Sequence, residues 1–380
     1  MKILEFYYEG LSPLDNLTKL APKDDLLFFD IETTGLSKIK NHIYLIGVGY
    51  YSSDGLNIIQ WFAENESEEP LVLKEFINFT SSFSYLVNYN GKTFDIPFTT
   101  QRMQKYGLAM PELSSIDIYT YVKPYKKILS LNDLTQKSIE QFLGISRKDK
   151  YNGGELISVY KNYSHLASIN VTSKEKDTFF DMLILHNKED VLNMHYLTKI
   201  IDYSELFDAK ISFMEYSDNE YSDYFGNKKR ELIITGLHNF SSLPKSFNTF
   251  ANLESGSYIM NFSNNGQLKI RIPITEQELF FYFDNYKDYY YLPSEDMCIL
   301  KSMAGGISKE NRENAKKENC RIKLKDIFIP LPMKTDELRL RKFKPQYKSK
   351  CEYIRLSDFI NLSDEDKSIY LSAVYRHMFT

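Results

Sequence analysis

Residues 26–32, Leu-Leu-Phe-Phe-Asp-Ile-Glu, place the tightest condition on how this chain can fold. Four consecutive large apolar side chains read as a buried strand. Two acids close it. Asp30 and Glu32 are two positions apart, so both side chains leave the same face of the strand. A carboxylate beside a buried strand loses its water, which is costly unless something cationic compensates. The C-terminal ends of strands in α/β sheets are also where ligand sites form. The spacing alone proves little, because 51 acids in 380 residues give about 7 such pairs by chance. A plain turn over Thr33-Thr34-Gly35, with Asp30 bonded to it, is the competing reading.

The surroundings of this strand alternate strand and helix signals over residues 23–202. Strands are expected at Leu26–Ile31, Ile43–Tyr51, Leu56–Phe62 and Tyr85–Tyr89, with a fifth ending near Ile116–Tyr119. Helices are expected at Glu69–Phe83, Phe94–Tyr106, Leu131–Leu143 (with Asn132 as a cap), Gly154–Tyr163 and Ser173–Ile201. This order predicts an α/β domain with a mixed five-stranded sheet flanked by helices. Residues 1–22 read as an N-terminal arm. Residues 203–380 change character, with short strands at Glu231–Thr235, Ser257–Phe262 and Gln267–Ile272. Asn264-Asn265-Gly266 joins the last two as a hairpin, and Asp364–Met378 reads as a helix. A second, smaller α+β domain is therefore expected.

Composition excludes several classes. Hydrophobic residues make up 43% and charged residues 26%, which argues against wholesale disorder, and no apolar run is long enough for a membrane helix. The opening MKILEFYYEG lacks the pattern of a signal peptide, so a cytoplasmic protein with no membrane partner is expected. Cys298, Cys320 and Cys351 form no metal pattern. The net charge of −4 conceals an uneven distribution: Lys309–Lys350 carries 14 Lys or Arg against 6 Asp or Glu, a local +8, leaving −12 elsewhere. Either a polyanion-binding surface or a solvated face produces such a stretch.

Two further places carry chemistry. Asp95 follows the strand Tyr85–Tyr89 and the turn at Asn90-Gly91, where it would also serve as a helix N-terminal acid. His186 and Asp190 lie four apart in the long helix and share a face, as an ordinary surface pair also would. Taken singly, each is as well explained structurally.

In order, they resemble a family. Phe29-Asp30-Ile31-Glu32-Thr33-Thr34-Gly35-Leu36 resembles the first motif of the DEDD exonucleases of the RNase H-like superfamily. Asn90-Gly91-Lys92-Thr93-Phe94-Asp95 is similar to the second motif, and His186-Asn187-Lys188-Glu189-Asp190 to the third. Within that superfamily the run Asn-Gly-Lys-Thr-Phe-Asp-Ile-Pro-Phe, the strand end at Asp117 and the His-Asn-Lys-Glu-Asp ending resemble the YprB-type RNase H-like proteins. The resemblance covers about residues 23–202. In one respect the chain departs from it: a His stands at the spacing where one class of these enzymes has Tyr. The roles of general base and of orienting water both stay open for His186.

The resemblance implies a metal-dependent nuclease on DNA or RNA, a 3′–5′ exonuclease acting at a single-stranded end. Asp30, Glu32, Asp95 and Asp190 would hold two divalent cations, Mg²⁺ or Mn²⁺, which suit an oxygen-only donor set. His186, with an ordinary pKa near 6.5, suits proton transfer at neutral pH. Backbone near Thr33, Thr34 and Leu36 and the Asn90 side chain would hold the terminal nucleotide. Lys92 would meet a phosphate, or simply be solvated. Lys316, Lys317 and Arg321 would contribute to a basic face that guides the strand. Two other readings compete: a nuclease fold that binds nucleic acid or protein without cutting, and a hydrolase of small phosphate esters.

Overall fold

The structure is a computed structural model describing residues 1–169, 173–239, 243–253, 256–331 and 338–378. The chain divides into two compact units, Met1–Ser204 and Glu205–Thr380.

The first unit is built on one sheet. Its elements are β1 (Lys2–Glu9), α1 (Asp15–Thr18), β2 (Leu26–Thr33), β3 (Ile43–Tyr51), β4 (Gly55–Phe62), α2 (Glu69–Thr80), β5 (Tyr85–Asn88), α3 (Asp95–Lys105), β6 (Ser114–Asp117), α4 (Ile118–Val122), α5 (Gln136–Leu143), α6 (Gly153–Ser168) and α7 (Lys174–Leu197). The strand order is β1-β4-β3-β2-β5-β6, with β2–β5 and β5–β6 parallel and the other pairs antiparallel. The sheet is mixed, as expected, but has six strands rather than five. The added strand comes from the supposed arm: Lys2–Glu9 alternates half-buried and exposed residues and pairs along its whole length with β4. Its period of two marks a half-covered edge strand.

The apolar run of β2 is buried because the sheet has helices on both faces. Phe29 and Ile31 enter a cluster with Val72, Phe76 and Phe98 from α2 and α3. On the other side Tyr44, Leu45 and Phe62 pack with Tyr160, Tyr163 and Leu183 from α6 and α7. The α5 helix starts at Gln136, capped by the Thr135 hydroxyl that accepts from the Ser138 N–H; Asn132 is not its cap.

The second unit contains β7 (Ile211–Ser222), β8 (Lys228–His238), β9 (Phe247–Leu253), β10 (Gly256–Phe262), β11 (Gln267–Tyr282), β12 (Tyr289–Leu292), β13 (Met297–Leu300), β14 (Glu313–Asn314), β15 (Arg321–Leu331), β16 (Glu352–Arg355), α8 (Leu356–Ile360) and α9 (Asp364–Met378). The long β11 organises it. Its first half pairs with β8 and β10, its second half with β15. The hairpin between β10 and β11 turns through Gly266 at φ +94°, a conformation glycine adopts without penalty. Part of the basic stretch, residues 332–337, lies outside the described residues.

Candidate functional site

The site forms where the C-terminal ends of β2, β5 and β6 meet α7. Asp30 and Glu32 leave β2 on one face, while Ile31 between them points to the opposite core. Asp95 opens α3, and its Oδ1 accepts from the Ile31 N–H at 3.4 Å, which seats it beside both β2 acids. The turn before it is held by buried Asp117, which accepts from the N–H groups of Asn90 (2.8 Å) and Lys92 (3.1 Å). Asn90 adopts a left-handed backbone with φ +61°. Its side-chain oxygen accepts from the Thr93 hydroxyl at 2.8 Å.

Helix α7 brings three residues to the sheet. Asn187 donates through Nδ2 to Asp30 Oδ2 at 2.7 Å, and its Oδ1 accepts from Gln60 Nε2 at 2.7 Å. This close approach needs Gly47, which pairs with Asp30 across β3: a Cβ there would stand 2.0 Å from Asn187 Oδ1. His186 Nε2 lies 3.5 Å from Glu32 Oε1 and 3.2 Å from Asp190 Oδ2. Its other ring nitrogen, Nδ1, is 2.7 Å from Asp149 Oδ2. One ligand atom each from Glu32, His186 and Asp190 lie within 4.8 Å of one another.

These contacts shift the proton affinities of the site. Burial pushes the Asp30 carboxyl well above its ordinary range, helped by the charges of Asp190, Asp95 and Glu32 and opposed by the Asn187 hydrogen bond. Burial likewise raises Glu32 to about 7 against the pull of His186. It raises Asp95 to about 7 against hydrogen bonds from two backbone N–H groups, its own and that of Ile31. Burial would lower His186, but Glu32, Asp190 and Asp149 outweigh it and raise the imidazole to about 9. With carboxylates facing both nitrogens, the His186 ring is held above the near-neutral range expected for a free imidazole.

Cationic compensation for part of this site comes from Arg147, which reaches Asp190 at 2.7 Å, Glu140 at 3.0 Å and Asp149 at 3.3 Å. Arg147 and Asp149 lie in the loop after α5, which has no periodicity to draw attention. Asn187 falls inside the third motif, and Gln60 in a strand, where its buried polar side chain was the available signal. Of the other sequence candidates, Thr33 ends β2 and Thr34 follows it, both buried, and Leu36 is exposed in the turn beyond. Lys92 is exposed in the turn before Asp95. Lys316, Lys317 and Arg321 belong to the second unit. Arg321 pairs with Asp296 at 3.1 Å and Lys317 lies 5.9 Å from the Tyr286 ring centroid.

The donor set fits a hard divalent cation. Its atoms are mainly carboxylate oxygens, and burial and mutual repulsion hold three of the four acids toward the neutral form until positive charge arrives.

Residues 27–201 match the family model of the RNase H superfamily. The chain is similar to the uncharacterized protein YprB of Bacillus subtilis, 26% identical over 176 residues, covering 45% of this chain and 40% of that one. A DNA polymerase of Pyrococcus glycovorans is 30% identical over 114 residues, which is 27% of this chain and 14% of the polymerase. The chain thus spans less than half the length of either relative. Among solved structures, a zinc-bound complex of E. coli ExoI with single-stranded DNA is similar at 13% identity and a TM-score of 0.29, covering 56% of this chain and 54% of that one. The family B DNA polymerase of Pyrobaculum calidifontis is similar at 13% identity and a TM-score of 0.32, covering 69% and 35%.

Proposed function

We propose that the first unit is a metal-dependent nuclease that hydrolyses phosphodiester bonds of DNA or RNA, acting as a 3′–5′ exonuclease on a single-stranded end. One observation carries this reading. Asp30 and Glu32 at the end of β2, Asp95 at the start of α3, and His186 and Asp190 on α7 meet in one buried acidic site. The relatives support it, since a polymerase and an exonuclease bound to single-stranded DNA are among the proteins similar to this chain.

Asp30, Glu32, Asp95 and Asp190 would hold two ions, Mg²⁺ or Mn²⁺, which supply charge neutralisation and an activated water when bound. The chain does the rest by positioning. Asn187 fixes the Asp30 carboxylate through one oxygen and leaves the other available. Asp149 holds the His186 ring through Nδ1, so the Nε2 proton points at Glu32 and Asp190. Once those two carboxylates are neutralised, His186 loses two of the charges that raise its pKa and can exchange a proton at Nε2 near neutral pH. Asn90 and the turn Thr33–Leu36 border the acids, where a terminal nucleotide would rest.

Arg147 favours a second reading. A cation 2.7 Å from Asp190 compensates the site without any metal, as a non-cleaving nucleic-acid- or protein-binding module would need. Incubating the protein with Mg²⁺ or Mn²⁺ and 3′- or 5′-labelled single strands, duplexes and small phosphate esters separates the readings. Stepwise loss of the 3′ label in wild type and its absence in Asp30→Asn is the expected result. A wild type that binds strands but leaves every length intact would establish the second reading.

A further inference from the structure

The basic stretch divides electrostatically. On β15 its charges are met by acids: Arg321 by Asp296 at 3.1 Å, Lys323 by Glu278 at 3.0 Å and Lys325 by Glu276 at 3.6 Å. The segment Arg339–Lys350 differs, with six Lys or Arg in twelve residues and no acid. It is held in place: Lys344 exchanges two backbone hydrogen bonds with Phe280 at 2.9 Å, and Phe343 does so with Tyr353 at 2.8 Å. It is therefore clamped between the end of β11 and β16.

Against this segment lies a cavity of about 590 Å³, a size typical of small-ligand sites. Lys342, Lys344, Lys348, Tyr282 and Tyr347 line it together with Glu352, which reaches Lys344 at 3.2 Å and Lys342 at 3.7 Å. Three ammonium groups thus face two carboxylates, Glu352 and Asp284. Exposed Lys348 makes no ion pair among the described residues. Tyr347 is also exposed and meets Tyr282 edge-on, with centroids 5.2 Å apart and planes at 65°, which leaves ring surface open. The tyrosines of the run at 289–291 are engaged instead: Tyr289 stacks on Phe283, cations cover Tyr290, and Tyr291 bonds Asp296.

Ammonium groups beside an open aromatic face match a phosphate joined to a planar base. An acidic peptide would use the lysines and leave the ring unpartnered. Resting on the nuclease reading for its substrate class, we propose that this cavity binds one nucleotide unit of a single strand, without sequence preference. A free nucleoside monophosphate has the same chemistry, and the test tells the two apart.

The test is fluorescence anisotropy with the full chain in EDTA, which prevents cutting. Labelled oligo-dT and oligo-rU on the order of 12 nucleotides serve as probes across a salt titration. The variant Tyr347→Ala/Lys348→Glu alters two exposed side chains, and Lys325→Glu is the control with the same charge change; melting curves confirm both fold. Binding at least tenfold weaker with a flatter salt dependence is expected for the cavity variant, and within twofold of wild type for the control. The proposal falls if the cavity variant binds like wild type or the control loses as much. It also falls if poly-glutamate of equal charge, or a nucleoside monophosphate at micromolar concentration, displaces the strand. The nuclease reading fails by a separate route, in metal with wild type, if no strand is shortened.

Discussion

The helices around the acidic site and the strand β15 handle charge in opposite ways. In the first, ionised groups are buried and share partners: Arg102 reaches Glu69 at 2.5 Å with both side chains almost fully enclosed, and Arg147 serves Glu140, Asp149 and Asp190 together. In the second, Lys323–Glu278 and Lys325–Glu276 cross neighbouring strands with every side chain about half exposed or more. Desolvating a charge costs several kcal/mol, so a buried ion that loses its partner is a large liability, whereas an exposed pair contributes about 1 kcal/mol at most. The same kinds of residue therefore set the architecture around the acidic site and decorate the surface along β15.

The sharpest way to exploit this contrast is Asp30→Asn. We expect cleavage to fall by at least about 10³-fold, measured as release of the 3′ nucleotide in Mn²⁺. Metal-free thermal stability should rise, because the buried repulsion is relieved. A variant that cuts at the wild-type rate would contradict the mechanism.

Next in size is Arg147→Met, expected to destabilise the first unit by about 3–5 kcal/mol in urea melts by leaving buried carboxylates uncompensated. A loss below about 1 kcal/mol would show that solvent reaches these acids.

A pH titration of metal-free stability should give a smaller change. Glu32 and Asp95 have folded pKa values near 7, above their unfolded values, so the folded state binds protons more tightly and stability falls as pH rises toward 7. His186, raised to about 9, contributes stability that is present below its unfolded pKa and lost as pH passes 9. The melting temperature without metal should therefore decline from pH 5 to pH 9, and divalent ions should flatten the decline. A rise over that range would refute the assigned shifts.

At the bottom of the scale, Lys325→Ala should change stability by no more than about 0.5 kcal/mol. A larger loss would mean that the two regions do not differ as described.

What the sequence made legible follows how local each determinant is. Ile43–Tyr51 is an unbroken apolar run and forms a strand over those same residues, and Asp364–Met378 is a helix over its expected length. Gln267–Ile272 grew into a strand ending at Tyr282: Pro273 and Glu276–Glu278 interrupt the alternation, but pairing with β15 continues from Thr275 to Tyr282. Four acids were visible through motif order. Arg147, Asp149 and Gln60 were not, because their importance lies in which distant carboxylate or amide they meet. Similarly, Cys298 Sγ accepts from the Arg321 N–H at 3.1 Å and donates to the Asn319 carbonyl at 3.0 Å, straddling Cys320 from 22 positions away in sequence, a neighbourhood no spacing announces.

The missing side chain at Gly47 has a wider consequence. It lets Asn187 settle against the sheet, and the same short piece of α7 delivers His186 to Glu32 and Asp190 to Arg147. A slip of one residue along a helix turns its face by roughly 100°. No such slip could preserve one of these contacts while losing the others. The helix acts as a key cut for a single depth of insertion. A methyl group at position 47 would jam it, and damage there should abolish the site as a whole instead of degrading it by increments.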